Sequence, residues 1–169
     1  MANGVPLTLT LVSGGQTGVD RAALDVAMER GMAAGGWCPA GRWAEDGPIP
    51  ADYPLRETPS TDPAQRTEWN VRDSDATLLL TSGAENGGTA LTREVARRLG
   101  KPLYTFHAGA LEDVGAFRRW LQVAKVRTLN VAGPRESEVP GIHADACRIL
   151  VALLGRGNEF ASVEALHPE

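Results

Sequence analysis

A chain of 169 residues, 43% of them hydrophobic, is long enough for one domain with a continuous core. Its formal net charge of −4 excludes a protein that wraps nucleic acid, a task that needs a concentrated excess of Lys and Arg against phosphate. Two distant cysteines, Cys38 and Cys147, signal neither a disulfide framework nor a zinc site, and no run reaches the roughly 18 apolar residues of a membrane span; with no basic leader at the N-terminus, the expectation is a cytoplasmic protein whose partners are small molecules or copies of itself.

In chain order, Leu7 to Val12 is an apolar strand that runs through "SGGQTG" into a helix, where Val19, Ala22, Ala23, Val26 and Ala27 keep helical spacing. A second strand, Met32 to Gly36, gives way to Trp37 to Thr61, which holds five of the eleven prolines and no helical period. A connection of that length is unusual in a compact domain. Within it Leu55 to Thr58 reads as a short sixth strand candidate. "AQRTEWNVRDSDA" predicts a short helix, followed by a strand at Ala76 to Leu80 and a second glycine-rich bend, "SGAENGGTALTREVA", whose helix carries Leu91, Val95 and Leu99. Strands at Leu103 to Phe106 and Thr128 to Val131 follow, then the turn-rich "NVAGPRESEVPGI" and a last helix marked by Ile142, Ala146, Ile149, Leu150 and Leu153.

Strands alternating with amphipathic helices require a mostly parallel sheet, because parallel pairs need crossover connections. The expected fold is therefore α/β: a single Rossmann-like domain over 1–155 with helices on both faces, and a tail over 156–169. An order of 3-2-1-4-5-6, with Leu55 to Thr58 as strand three, places the strands ending at Val12 and Leu80 side by side at the switch point where such sheets bind ligands.

The two bends carry the expected chemistry. Gly14 and Gly15 let a ligand approach the backbone, and the helix from Thr17 offers unpaired N–H groups, so an anion is expected there. Gly87, Gly88 and Thr89 repeat the arrangement, and two such helix heads at one switch point form paired cradles for phosphate or another oxyanion. A side chain at Gly14 or Gly88 is expected to fill the cradle. Neither bend is a P-loop or a GxGxxG fingerprint, and Trp37 stands where a dinucleotide site would want an acid.

Other residues carry two readings each. Arg66, Asn70 and Asp73 share a helix face that is either solvated or meets ligand at the rim through Arg66 or Asn70. Asp20, in a first helical turn, complements the dipole or repels a phosphate. Asn130, Arg135 and Ser137 reach ligand or a neighbouring subunit, or belong to ordinary turns. Trp37, Trp43 and Trp69 cover the core or stack on a flat heterocycle. His107 and His143 are read as isolated from both thiols, and Cys38 as a small apolar residue.

"SGGQTGVDRAALD", "GGWCPAGRWAEDGPIP", "YPLRET", "RTEWNVRDSDATLLL", "GGTALT" and "NVAGPRES", in that order from Ser13 to Ser137, resemble the molybdenum carrier family, within the superfamily that includes the lysine-decarboxylase-like LOG proteins. The resemblance implies a Rossmann-like homo-oligomer, often tetrameric, that binds and protects the molybdenum cofactor (molybdopterin), a phosphorylated pterin dithiolene. It implies ligand loops at Ser13, Gly14, Gly15, Gln16, Thr17 and Gly18 with Asp20 and Arg21, and at Gly87, Gly88 and Thr89 with Thr92; Arg66 and Asn70 are the rim candidates. LOG relatives cleave a nucleoside monophosphate with a signature like PGGxGTxxE. Here Thr92 stands near the expected Glu, Glu94 points away from that face, and Glu68 serves only if its helix packs across the pocket. The resemblance thus leans away from an enzyme, with a hydrolase or an ADP-ribose-type nucleotide sensor as alternatives.

Overall fold

The apolar runs assemble into a parallel sheet in a computed structural model of the chain, which describes residues 8–85, 87–110 and 113–155. In chain order the elements are β1 (Thr10–Val12), α1 (Val19–Glu29), β2 (Ala34–Gly35), β3 (Trp37–Cys38), β4 (Trp43–Ala44), β5 (Gly47–Pro48), β6 (Arg56–Glu57), α2 (Pro63–Arg72), β7 (Ala76–Thr81), α3 (Gly87–Leu99), β8 (Leu103–His107), α4 (Val114–Val123), β9 (Thr128–Ala132) and α5 (Ile142–Leu154). Leu7 and the 156–169 tail lie outside the described residues. Helix α4 was not among the elements expected from the sequence.

The five-stranded sheet has the order β2-β1-β9-β7-β8, all parallel. This corrects the expected order in two ways. The segment at Leu55 to Thr58 contributes only β6, which pairs with β3 in a separate two-stranded sheet, so it is not strand three. The strands ending at Val12 and Thr81 are not neighbours, because β9 lies between them, its Asn130 in register with both Val12 and Thr77. Counting only the five sheet strands along the chain, the order is 2-1-5-3-4; counting β9 first turns it into 3-2-1-4-5, the doubly wound order. The last sheet strand in sequence is thus the central one in space, and the switch point lies at its C-terminal end.

Alternation along the strands sorts the two faces. Leu78, Leu80, Leu129 and Val131 point with Leu11 into a core shared with α1, α4 and α5, each side chain worth about 2 kcal/mol of burial. On the other face α2 and α3 pack through Val71, Val95 and Ala96. Helix α2 starts where the sequence says it should: Asp62 caps it by accepting from the Ala64 N–H at 2.9 Å, and Pro63 occupies its first turn.

The proline-rich segment is not a structureless loop. Cys38, Ala44, Ile49 and Leu55 bury themselves against Leu24 of α1 as a second small core. Arg42 holds it together: its guanidinium donates to the carbonyls of Ile49, Leu55, Pro50 and Tyr53 at 3.0, 3.2, 2.7 and 3.1 Å.

Candidate functional site

The bend before α1 is occupied by the protein itself. Asp20 is 4% exposed and turns its carboxylate back into the bend, where Oδ2 accepts from the Gln16 N–H at 3.4 Å and meets Arg66 Nη1 at 3.2 Å. The Gln16 side chain accepts the Thr17 N–H at 2.9 Å, and the Pro134 carbonyl accepts that of Val19 at 3.1 Å. Burial pushes the Asp20 carboxyl above its ordinary value, against the opposing pull of Arg66 and of the Gln16 and Gly14 N–H groups. The Asp20 side chain itself thus supplies an acceptor at this helix head.

The glycines of this bend make room for protein rather than for ligand. A Cβ on Gly14 would collide with Arg66 Nη1, so the guanidinium packs against the bare backbone. One on Gly15 would meet Leu55 at 2.5 Å, and one on Gly18 would meet the Pro134 carbonyl at 2.4 Å; both residues hold positive φ, 76° and 77°. A bulky residue at Gly14 is consequently a packing change and not a probe of binding.

The bend before α3 is different. Among the described residues no group accepts from the backbone N–H of Gly88 or Thr89, and a Cβ on Gly88 would have nothing within 4 Å. This head opens on a cavity that Gly88, Thr89 and Thr92 share with Gln16 and Asp20, with Pro63 and Arg66 of α2, and with Trp43. Ala132, Gly133, Arg135 and Glu138 close it from the end of β9. The location is the C-terminal edge of the central strands β9 and β7, where an open α/β sheet takes ligands. Arg66 is the most informative residue in it. Its Nε is buried and has no hydrogen-bond partner among the described residues, an orphaned donor costing about 1 to 3 kcal/mol until an acceptor arrives.

Of the residues nominated from sequence, Gln16, Asp20, Arg66, Gly88, Thr89 and Thr92 meet in this cavity. Ser13 is buried, donating to the Asp20 carbonyl at 2.8 Å, and Gly87 is exposed at the head of α3. Thr17, Gly18 and Arg21 open instead on a second cavity. Asn70 reaches neither: its amide is spent on the backbone of Trp37, accepting from N at 2.8 Å and donating to O at 2.9 Å. Arg135 and Trp43, each given two readings from the sequence, line the first cavity, as the ligand-side reading of each requires.

The tryptophans divide accordingly. Trp37 and Trp69 meet edge to face at 4.7 Å, with Arg56 over the first and Arg72 over the second, so they staple the β3 end of the segment to α2. Trp43 is 50% exposed at the cavity. Asn130 is interior, donating to Thr77 Oγ1 at 3.3 Å, and Ser137 binds Glu45. Glu68 pairs with Arg98 at 3.3 Å and Glu94 with Arg97 at 2.9 Å, both largely exposed and neither lining the cavity. The reading of His143 as isolated from the thiols is overturned: its ring nitrogens lie 4.0 Å from Cys147 Sγ, one helical turn away, and Nε2 is 2.8 Å from Asp25 Oδ2. Burial, followed by the nearby Asp25, holds that thiol above its ordinary pKa.

Residues 11–154 match the model of the circularly permutated YpsA SLOG family. The solved structure of the "Putative molybdenum carrier protein" from Syntrophus aciditrophicus SB is 40% identical, with a TM-score of 0.85 over 89% of this chain and 97% of that one. A search of curated proteins gives no match.

Proposed function

This chain belongs to the circularly permutated YpsA SLOG family, and from that premise we propose that it is a binding protein for a phosphate-bearing heterocycle, with the molybdenum cofactor as its cargo. The family and the molybdenum carrier neighbour support a ligand-binding role. The observation that carries the finer reading is the pairing, in one cavity, of the α3 head, whose Gly88 and Thr89 N–H groups meet no acceptor among the described residues, with the orphaned Nε–H of Arg66. Both are donors awaiting an anion, and the helix dipole favours negative charge at the first of them.

In this reading Gly88 and Thr89 take the phosphate on backbone N–H groups, and Arg66 turns its unused donor to an anionic oxygen while Asp20 holds the guanidinium in place. Trp43 supplies an exposed flat face for a heterocycle. The metal stays on the ligand's own dithiolene, and no residue is assigned to it. The carboxylates in the cavity, Asp20 and Glu138, are paired with Arg66 at 3.2 Å and with Arg135 at 2.7 Å, and act as positioning groups, not as acids or bases.

Anaerobic native mass spectrometry of the protein with molybdenum cofactor, with AMP and ADP-ribose as competitors, tests this. The expected result is one cofactor per subunit, undisturbed by nucleotide and lost in Gly88→Val, whose side chain enters open space. Nucleotide retained in place of the pterin overturns the carrier reading in favour of the sensor or hydrolase, and free base among the products selects the hydrolase. The same spectra read the subunit count, for which we propose a homotetramer, and fractionation of the source cells tests the proposed cytoplasmic residence. No helix among the described residues is long and apolar enough to cross a membrane.

A further inference from the structure

The β4–β5 hairpin pairs Trp43 with Pro48 and Ala44 with Gly47, which leaves Glu45 and Asp46 as its two-residue tip. Both acids reach into the body of the domain. Glu45 Oε1 accepts from the Thr17 hydroxyl and, at 3.1 Å, from the Ser137 N–H. Its Oε2 accepts from the Ser137 hydroxyl and stands 3.9 Å from Arg135 Nε. Asp46 takes a two-pronged contact from Arg21 at 3.1 and 3.2 Å. The donors on Glu45 come from two separate loops, the head of α1 and the turn after β9, and together they are the set a phosphoryl group would use: two hydroxyls, one backbone N–H and a guanidinium.

The hairpin is also a partition. Trp43 faces the cavity at α3, whereas Glu45 and Asp46 face the second cavity, with Thr17, Arg21 and Ser137. Its strands are two residues each, too short to stand alone, and its apolar anchorage is limited to Ala44 within and Ile49 just beyond it. The rest of its hold on the domain is polar: the contacts of its two acids and one bond from the Glu45 N–H to the Gln16 side chain at 2.9 Å. An attachment made of charge-assisted hydrogen bonds is one that a competing anion can replace.

We propose that this hairpin is a latch, in which Glu45 occupies as an internal ligand an oxyanion subsite made by Thr17, Ser137 and Arg135, and that a second oxyanion, separate from the phosphate read at α3, displaces it and opens the partition between the two cavities. The subsite rests on the contacts of Glu45 and not on the phosphate reading of the α3 cavity.

Inorganic pyrophosphate is the probe, measured by titration calorimetry on the full chain. Glu45→Gln is expected to bind it at least tenfold more tightly than wild type, while Asp52→Asn, which removes the same charge from an exposed residue elsewhere in the segment, leaves affinity unchanged. The gain is expected to persist in a Gly88→Val background; its loss there would mean that the anion sits at α3 and not under the hairpin, which overturns the subsite without touching the carrier reading. Equal affinity of the Glu45→Gln and Asp52→Asn variants would also overturn it. In wild type, which needs no variant to fold, saturating pyrophosphate is expected to speed hydrogen exchange at the Glu45 and Ile49 amides. Unchanged or slower exchange would mean that the hairpin is a fixed clamp.

Discussion

At the head of α1, Asp20, Gln16 and Pro134 accept the backbone N–H groups; at the head of α3, those of Gly88 and Thr89 meet no acceptor among the described residues. Both heads follow a strand of the same sheet, and both are rich in glycine. The difference is made by parts of the chain remote in sequence. The α1 head is covered by Arg66, by the turn at Pro134 and by the proline-rich segment, and its glycines exist to let those parts come close. The α3 head is met by no such covering part among the described residues. A glycine-rich helix head thus serves either as a packing joint or as a ligand cradle, and the space around the missing Cβ distinguishes the two.

The largest effect expected from breaking this contrast comes from Asp20→Ala. It strands the largely buried Arg66 guanidinium without its counter-ion, and urea titration should show a loss of about 3 kcal/mol. A loss below about 1 kcal/mol would mean that solvent reaches Arg66 and that the bend is less filled than its glycine contacts imply.

Glycine replacements sharpen the contrast directly. Gly14→Ala drives a methyl into Arg66 and is expected to cost about 2 kcal/mol, whereas Gly88→Ala, in open space within a helix, should be neutral or gain up to about 1 kcal/mol. Thermal denaturation of the pair reads the difference, and similar melting temperatures would erase it.

The smallest effect concerns how firmly the segment over the first bend is held. Tyr53 donates to Asp25 of α1 at 2.6 Å, and burial, followed by the Asp25 contact, pushes its phenol up to about 12 from 10.0. The neutral phenol is the form the fold prefers, so its contribution is complete below pH 10 and is lost as pH rises toward 12. Absorbance titration should show a late phenolate that Tyr53→Phe removes, together with a shallower loss of stability above pH 10. An ordinary titration at Tyr53 would show that the Asp25 contact does not persist in solution.

Much of this was legible from residue patterns. The strands ending at Val12, Leu80, Phe106 and Val131 and the helical spacings of α1, α3 and α5 were read close to their observed bounds, because period and burial agree there. Helix α4 carries the same signal in Val114, Phe117 and Leu121, and the i, i+4 spacing of His143 and Cys147 already placed them on one face. The order of the sheet was not legible: a strand's neighbours depend on nonlocal pairing, and nothing local marks Thr128–Ala132 as central. Nor was the ordering of the proline-rich segment, which depends on one arginine meeting four carbonyls spread over 49–55.

The position of β9 also bears on how the molecule is made. Until Thr128–Ala132 leaves the ribosome, β1–β2 and β7–β8 are two unconnected ribbons, each presenting the inner edge that β9 will later cover. Joining them closes a loop of more than a hundred residues between β1 and its partner, so the decisive pairing is nonlocal and comes late in synthesis. Nascent chains that stop short of β9 expose two open strand edges, the kind of surface that invites pairing with a neighbouring chain.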